Sequence, residues 1–414
     1  MVRVFGYLCI VTALGIGAYV VVRWYVPSNG PLVYSPIGVL DSTWGVYKRT
    51  YVTADYRTVD WQRGGVTTSE GQGYTMLRAV WEGDKPAFDG AWQWTEAHLA
   101  RPSDHLFSWL WGKRADGVYG ILTAENGQNT ASDADTDIAL SLVFAYARWQ
   151  DPQYLTAARA IIRGIWEEEV VMINGKPYLA ADNLEKTSSS PTIVVNPSYF
   201  SPAAYQIFAQ VDPRDDWEAL RTQSYALLEE SMTEPLDATT SVQLPPDWML
   251  VSRATGKVSS PSAALTGQST PASSYDTNFG YDALRVPFRV ALDWVWFGNP
   301  QAKALLSRMS FLTRVWEANH RLDAVYRHSG APVARAESAD MYGGTIGYFL
   351  IADPRDAQAV YRAKLLSLYN PTADSWIAPL SYYDANWAWL GIALYNGDLP
   401  NLTKDLPASA YAQP

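Results

Sequence analysis

Apolar residues recur at helical spacing along most of the chain. Ile138, Leu142, Ala145 and Trp149 fall at i, i+4, i+7 and i+11, one face of a helix that Asp151-Pro152 brings to an end. Leu155, Ala158, Ile162 and Trp166 mark a second helix. The same period runs through Trp217 to Met232, Leu284 to Trp296, Gln301 to Trp316, Pro354 to Tyr369 and Tyr383 to Leu394. Loops rich in Pro, Gly, Ser and Asn lie between them, the usual carriers of active-site residues. No strand and helix alternation points to a doubly wound sheet, and no long period-2 run is present. The pattern predicts an all-α domain of about a dozen helices, and periodicity alone leaves a solenoid and a closed toroid both open.

The N-terminus breaks the pattern. Phe5 to Val22, FGYLCIVTALGIGAYVVV, is uncharged and about as long as a bilayer-crossing helix. Trp24 and Tyr25 follow, at a level where aromatics suit a membrane interface. A signal anchor is expected, with a cleaved signal peptide as the alternative, because both begin this way. One Arg on each side, Arg3 and Arg23, leaves orientation unset by charge. Pro27, Ser28, Asn29, Gly30, Pro31 and Pro36 then read as linker. The expected organisation is an anchor or signal peptide over 1–25, a linker over 26–39, one folded domain over 40–400 and a C-terminal tail over 401–414. Within the domain, Met232 to Ser274 is rich in Ser, Thr and Pro and reads as one long loop.

Composition narrows the function. Hydrophobic residues make up 48% of the chain and charged ones 18%, which fits a globular protein with a large core. A net charge of −10 without a basic stripe argues against a nucleic-acid partner. The 18 Trp and 26 Tyr offer flat apolar faces suited to pyranose C–H groups, although most such rings belong to the core by ordinary preference. The single cysteine, Cys9, lies in the apolar segment, so the domain cannot form an internal disulfide. His98, His105, His320 and His328 have no metal-ligand spacing, so neither a metal site nor a cofactor is expected.

Three stretches carry candidate chemistry. In Thr67-Thr68-Ser69-Glu70-Gly71-Gln72-Gly73-Tyr74 a carboxylate sits among small residues near a helix start, where it could equally serve the helix dipole. In Ala131-Ser132-Asp133-Ala134-Asp135-Thr136-Asp137 three carboxylates precede the Ile138 to Trp149 helix, more than capping needs. The Gly and bidentate Glu of an EF-hand are missing there. In Tyr281-Asp282-Ala283-Leu284-Arg285 an Asp precedes a helix, with an Arg three positions on that can pair with it.

Together these stretches resemble glycoside hydrolase family 8. ASDADTDIALSLVFAYARW, Ala131 to Trp149, follows the family signature; SEGQGY, Ser69 to Tyr74, is similar to its acid-bearing motif; and YDALRVPFR, Tyr281 to Arg289, to the stretch carrying its base. FDGAWQWT, LFSWLWG, NPSYFSP, LPPDW and YYDANWAWL follow the family in chain order, so the resemblance covers about Trp44 to Asn396. It implies an (α/α)6 barrel, a toroid of six helical hairpins, and hydrolysis of a β-1,4-linked polysaccharide with inversion. Glu70 becomes the general acid and Asp282 the general base. Asp135 becomes the sugar-binding carboxylate, with Asp133 competing for that role. Arg285 would keep Asp282 ionised and oriented, Tyr281 would bind water or sugar, and Trp109 and Tyr199 would line subsites. Trp92 and Trp94 are further candidates for stacking.

The family acts on cellulose, mixed-linkage glucan, xylan or chitosan. NPSY, LPPDW and the apolar N-terminus lean towards an endoglucanase acting on cellulose or a related β-glucan exopolysaccharide. The chain would then sit in the cell envelope, anchored in the inner membrane with its domain outside the cytoplasm, or secreted or periplasmic if the segment is cleaved. Exopolysaccharide synthesis machinery is the expected partner. A non-catalytic, membrane-tethered glycan-binding protein is the competing reading, and an opposed acid and base argue against it.

Overall fold

The computed structural model describes residues 36–237, 240–261 and 275–411. The apolar segment Phe5 to Val22, the proposed linker up to Ser35 and the stretch 262–274 lie outside the described residues. Among the described residues no helix is long and apolar enough to cross a membrane.

Among the described residues the helices of seven residues or more, in chain order, are α1 (Pro36–Tyr51), α2 (Ser69–Glu82), α3 (Lys85–His98), α4 (Ser132–Trp149), α5 (Pro152–Glu169), α6 (Pro202–Val211) and α7 (Trp217–Thr233). They continue as α8 (Arg285–Phe297), α9 (Pro300–Arg308), α10 (Phe311–Asn319), α11 (Ala339–Ala352), α12 (Pro354–Val360) and α13 (Tyr382–Asn396). Their ends are written locally. Asp84, Asp151, Asp216 and Asn299 each accept a backbone N–H of the first turn they precede. Gly83, Gly298 and Gly397 end α2, α8 and α13 with φ of 75°, 65° and 79°, where a side chain would be strained.

Six helices form an inner ring: α2 packs on α4, α4 on α6, α6 on α8, α8 on α11 and α11 on α13. Arg78 of α2 donates to Asn386 of α13 at 3.0 Å, and Tyr74 meets Trp387 edge to face at 5.9 Å, closing the ring. Outside it, α3, α5, α7, α9, α12 and α1 lie against α2, α4, α6, α8, α11 and α13 respectively. This is an (α/α)6 barrel. Inner helices touch protein on every side, which is why Ser132 to Ala145 and Ala385 to Leu394 are buried without a break. At the α11 and α13 crossing only glycine fits, since a Cβ on Gly343 would collide with the Trp387 carbonyl.

Several expectations change. Helix α4 begins at Ser132, not Ile138, so the three aspartates lie inside its first two turns, and its cap residue Ala131 offers no side-chain bond. Gln301 to Trp316 divides at Met309-Ser310 into α9 and α10, and the Pro354 to Tyr369 helix leaves α geometry after Val360 for a π turn and a 3-10 turn. The first helix starts at Pro36, inside the stretch read as linker. The C-terminal tail packs on the barrel: Tyr146 donates to the Ala410 carbonyl at 3.2 Å, Arg159 donates to that of Tyr411, and the Tyr411 side chain is buried.

Among the described residues the connections also hold twelve strands of two to four residues in five antiparallel sheets. Two sheets bear on the site. Strand β1 (Thr67–Thr68), paired with β2 (Leu110–Lys113), which pairs in turn with β3 (Tyr119–Ile121), leads directly into α2, and β4 (Thr192–Val195) pairs with β5 (Met249–Ser252), the latter inside the stretch read as one long loop.

Candidate active site

The first turns of α2, α4 and α8 converge at one end of the barrel on a single guanidinium. Arg285, 1% exposed, opens α8. Its Nη1 donates to Glu70 Oε2 at 2.9 Å and to Asp133 Oδ2 at 2.7 Å, and its Nη2 donates to Asp282 Oδ1 at 2.6 Å. The Tyr199 ring covers the guanidinium at 5.2 Å. Because the guanidinium is a rigid planar fork, the bonded oxygens of Glu70 and Asp282 lie no more than about 8 Å apart. One turn deeper the pattern repeats without an opening to the surface, as Arg289 of α8 clamps Asp137 of α4 through two bonds at 2.8 and 2.9 Å.

Local sequence explains how Glu70 is presented. Thr68 caps α2 by accepting from Gly71 N–H at 3.0 Å, which leaves Glu70 free to point at Arg285. Gly71 lets the neighbouring helix close in, since a Cβ there would stand 2.8 Å from the Tyr382 hydroxyl. That hydroxyl lies 3.5 Å from Glu70 Oε1.

The electrostatics separate the two carboxyl groups from ordinary surface acids. Burial pushes Glu70 up to about 7; Arg285 opposes the rise, and the charges of Asp133 and Asp282 add to it. Asp282 is also raised by burial and by Asp133, against Arg285 and the side-chain donors of Asn196 and Trp248. Asp133 is raised by burial, with Arg285 and Arg289 opposing.

Two hollows meet at Asp282. The first is lined by Trp109, Asn126, Thr130, Asp182, Tyr199 and Trp248 among others; the second by Asp60, Arg63, Glu70, Tyr281, Tyr382 and Tyr383. Asp282 thus stands between the two hollows, and Glu70 lines the second. Among the described residues no group of His, Cys, Asp or Glu is arranged to hold a metal ion.

The sequence candidates divide. Glu70, Asp282, Arg285 and Tyr199 come together. Trp109 walls the first hollow, held by its Nε1 donating to the Asn126 carbonyl at 3.0 Å. Tyr281, 53% exposed, stands at the lip of the second, its carbonyl accepting from the Tyr383 hydroxyl at 2.6 Å. Asp135 is a correction: its side chain is wholly buried and its Oδ1 accepts from Phe107 N–H at 3.1 Å, away from Arg285. Two residues along a helix turn the side chain to the opposite face, so it is Asp133 that meets Arg285. Trp94 is core, stacked on His98, and Trp92 packs edge-on to Phe107 and lines neither hollow.

One residue passed over in the sequence fixes the base. Asp247, from LPPDW, accepts at Oδ1 from the N–H groups of Gly280, Asp282 and Ala283 at 3.2, 3.0 and 2.6 Å. A Cβ on Gly280 would stand 2.7 Å from its Oδ2. No local spacing links positions 247 and 282; only the fold does. Asp247→Ala would leave these donors unpaired and is expected to cost about 3 kcal/mol of unfolding stability. Asp247→Asn, which keeps an acceptor, should lose less. A urea midpoint unchanged in the alanine variant would show that the loop does not depend on this carboxylate.

The family model for glycosyl hydrolases family 8 matches residues 34–343. An endoglucanase of Cellulomonas uda is 32% identical over 254 residues, 61% of this chain and 63% of that one. An endoglucanase of Escherichia coli K12 is 28% identical over 343 residues, covering 80% and 83%. The crystal structure of an endo-1,4-D-glucanase from Vibrio fischeri superposes with a TM-score of 0.70 at 25% identity, over 86% of this chain and 94% of that one. The chain spans 63%, 52% and 59% of the length of three curated relatives that it matches.

Proposed function

This chain belongs to glycosyl hydrolases family 8, and on that premise we propose that it is an endo-acting, inverting hydrolase of β-1,4-glucan, cellulose or a related exopolysaccharide. The observation that carries the reading is the pair of unlike carboxyl groups on the two prongs of Arg285, with Asp282 between the two hollows. Hollows on both sides of Asp282 suit a chain threaded past it, hence internal cleavage. Glu70, held up at about 7, carries the proton that the leaving glycosidic oxygen needs. Asp282 takes a proton from water, whose oxygen bonds to the anomeric carbon as the carbon to glycosidic oxygen bond breaks on the opposite face. Inversion needs a separation of roughly 6.5–9.5 Å to leave room for that water; the upper bound of about 8 Å between the bonded oxygens admits it, as it admits the roughly 5–5.5 Å of a retaining pair, so the product anomer decides between them. Asp133, on the same guanidinium, is the carboxylate that would hold the distorted sugar, in place of Asp135. Trp109, Tyr199 and Trp248 offer rings to the sugars of the first hollow, and Tyr281 one at the lip of the second.

The relatives that share most of this chain are named endoglucanases, which supports a glucan over xylan or chitosan. Such a polymer lies outside the cytoplasm. With the apolar stretch Phe5 to Val22, this supports a place in the cell envelope, beside machinery that makes an exopolysaccharide.

The test is a substrate panel of carboxymethylcellulose, lichenan, xylan and chitosan, with product anomers followed by NMR. Cleavage of carboxymethylcellulose with the α-anomer formed first is expected. The β-anomer formed first, or activity on xylan or chitosan alone, would overturn the reading. The rate should also depend on pH in a set direction. Because Glu70 is raised, its proton persists to about pH 7, and kcat/KM should fall above that value as the acid ionises. A kcat/KM that keeps rising through pH 8 would remove Glu70 from the role of acid.

A further inference from the structure

Asp135 and Glu169 are among the acids of the described core without a part in the reaction. Asp135 lies on the face of α4 opposite the cleft, Glu169 ends α5, and both side chains are wholly buried. Glu169 Oε1 accepts from the Thr130 hydroxyl at 2.6 Å, and Asp135 Oδ1 from Phe107 N–H at 3.1 Å. The second oxygens, Asp135 Oδ2 and Glu169 Oε2, have no donor of their own, and the two carboxyl groups lie close enough to act on each other. Two ionised carboxylates have no hydrogen to share, so these orphaned oxygens can satisfy each other only with a proton on one of them.

We propose that Asp135 and Glu169 share one proton and act as positioning residues that pin together the two walls of the first hollow. One end of the pair holds Phe107, in the segment that carries Trp109, whose own N–H donates to the Asn129 carbonyl at 2.8 Å. The other end holds Thr130, whose hydroxyl also accepts from Asn183 N–H at 3.0 Å. Trp109, Asn129 and Thr130 all line the hollow.

The surroundings favour the proton. Arg101, the nearest cation felt by Asp135, is already held by Asp104 at 2.7 Å, and Asp104 and Asp182 add negative charge near the pair. From α6 the Tyr205 hydroxyl feels the charge of Glu169, while Arg289 is committed to Asp137. Burial and this charge raise both acids well above the usual carboxyl range. The folded chain therefore keeps a proton that the unfolded chain releases, and the clamp weakens as pH rises rather than as it falls.

The inference rests on the proposed glucanase activity for one readout and is independent of it in another. Glu169→Gln and Asp135→Asn each replace the shared proton by an amide hydrogen, while Glu169→Leu removes the bond. At neutral pH Glu169→Gln should match the wild-type KM for carboxymethylcellulose, and Glu169→Leu should raise it about tenfold with little change in kcat, as loss of one such bond implies. At alkaline pH the wild-type KM should rise and that of Glu169→Gln should not. Infrared difference spectra should show a protonated-carboxyl stretch in the wild type that Glu169→Gln and Asp135→Asn lack. The absence of that band, or an alkaline rise of KM shared by Glu169→Gln, would overturn the proposal. If the wild type cleaves no glucan, the proposed function fails and the infrared band still decides this inference.

Discussion

Glu70→Gln and Asp282→Asn are each expected to lower kcat on carboxymethylcellulose by about 10²- to 10⁴-fold, the range that proton transfer by a positioned side chain supplies. Both substitutions keep size and an acceptor oxygen for Arg285, so the ion cluster loses a charge but not its geometry. Stability should be little changed, because each variant relieves repulsion among carboxyl groups that already raise one another. The two roles differ in what rescues them. A β-glucoside with a good leaving group needs no proton on its departing oxygen, so Glu70→Gln should recover much of its rate there, whereas Asp282→Asn, which lacks the base for water, should not. Near wild-type turnover in either variant on carboxymethylcellulose would refute the assignment, and equal rescue of both would refute the division of labour.

Arg285→Leu should be more damaging still, because it strikes structure and chemistry together. It leaves Glu70, Asp133 and Asp282 facing one another with no cation bonded to them. Removing one partner from a buried ionic cluster typically costs about 3–5 kcal/mol. The sign of the pH dependence follows. Without Arg285 the folded-state affinities of these acids for protons rise further above their unfolded values. The loss is therefore largest at neutral pH and is relieved as pH falls and the carboxylates take up protons. Urea unfolding at pH 7 and pH 5 should show this convergence with the wild type. Arg285→Lys should recover part of the stability and little of the activity, since a single ammonium cannot bridge Glu70 on one side and Asp282 on the other. Unchanged stability in Arg285→Leu at pH 7 would mean that the cluster is not held by this charge.

The comparison of Asp133 with Asp135 shows how far the chain could be read in advance. The spacing of three aspartates marks the region as chemically unusual, and i, i+4 spacing tells that Asp133 and Asp137 share a face. Which face meets the cleft is not written there, because α4 is buried on all sides from Ser132 to Ala145 and its apolar residues extend beyond the one stripe that the spacing marks. The small strands escaped for a different reason, as two to four residues are too few to display an alternation. Asp247 escaped because its partners at 280, 282 and 283 are distant in sequence and are backbone groups without side-chain identity.

By itself the sequence determined the helical periodicity, most helix stops, the acidic balance and the motifs bearing Glu70, Asp282 and Arg285, since each depends on residues within a few turns of one another. The tertiary structure alone decided that the ring closes, that α2, α4 and α8 point their first turns at one guanidinium, and that Asp133 faces it while Asp135 faces Glu169. Local spacing sets which side chains share a face. Only packing against the other helices of the ring sets what that face meets.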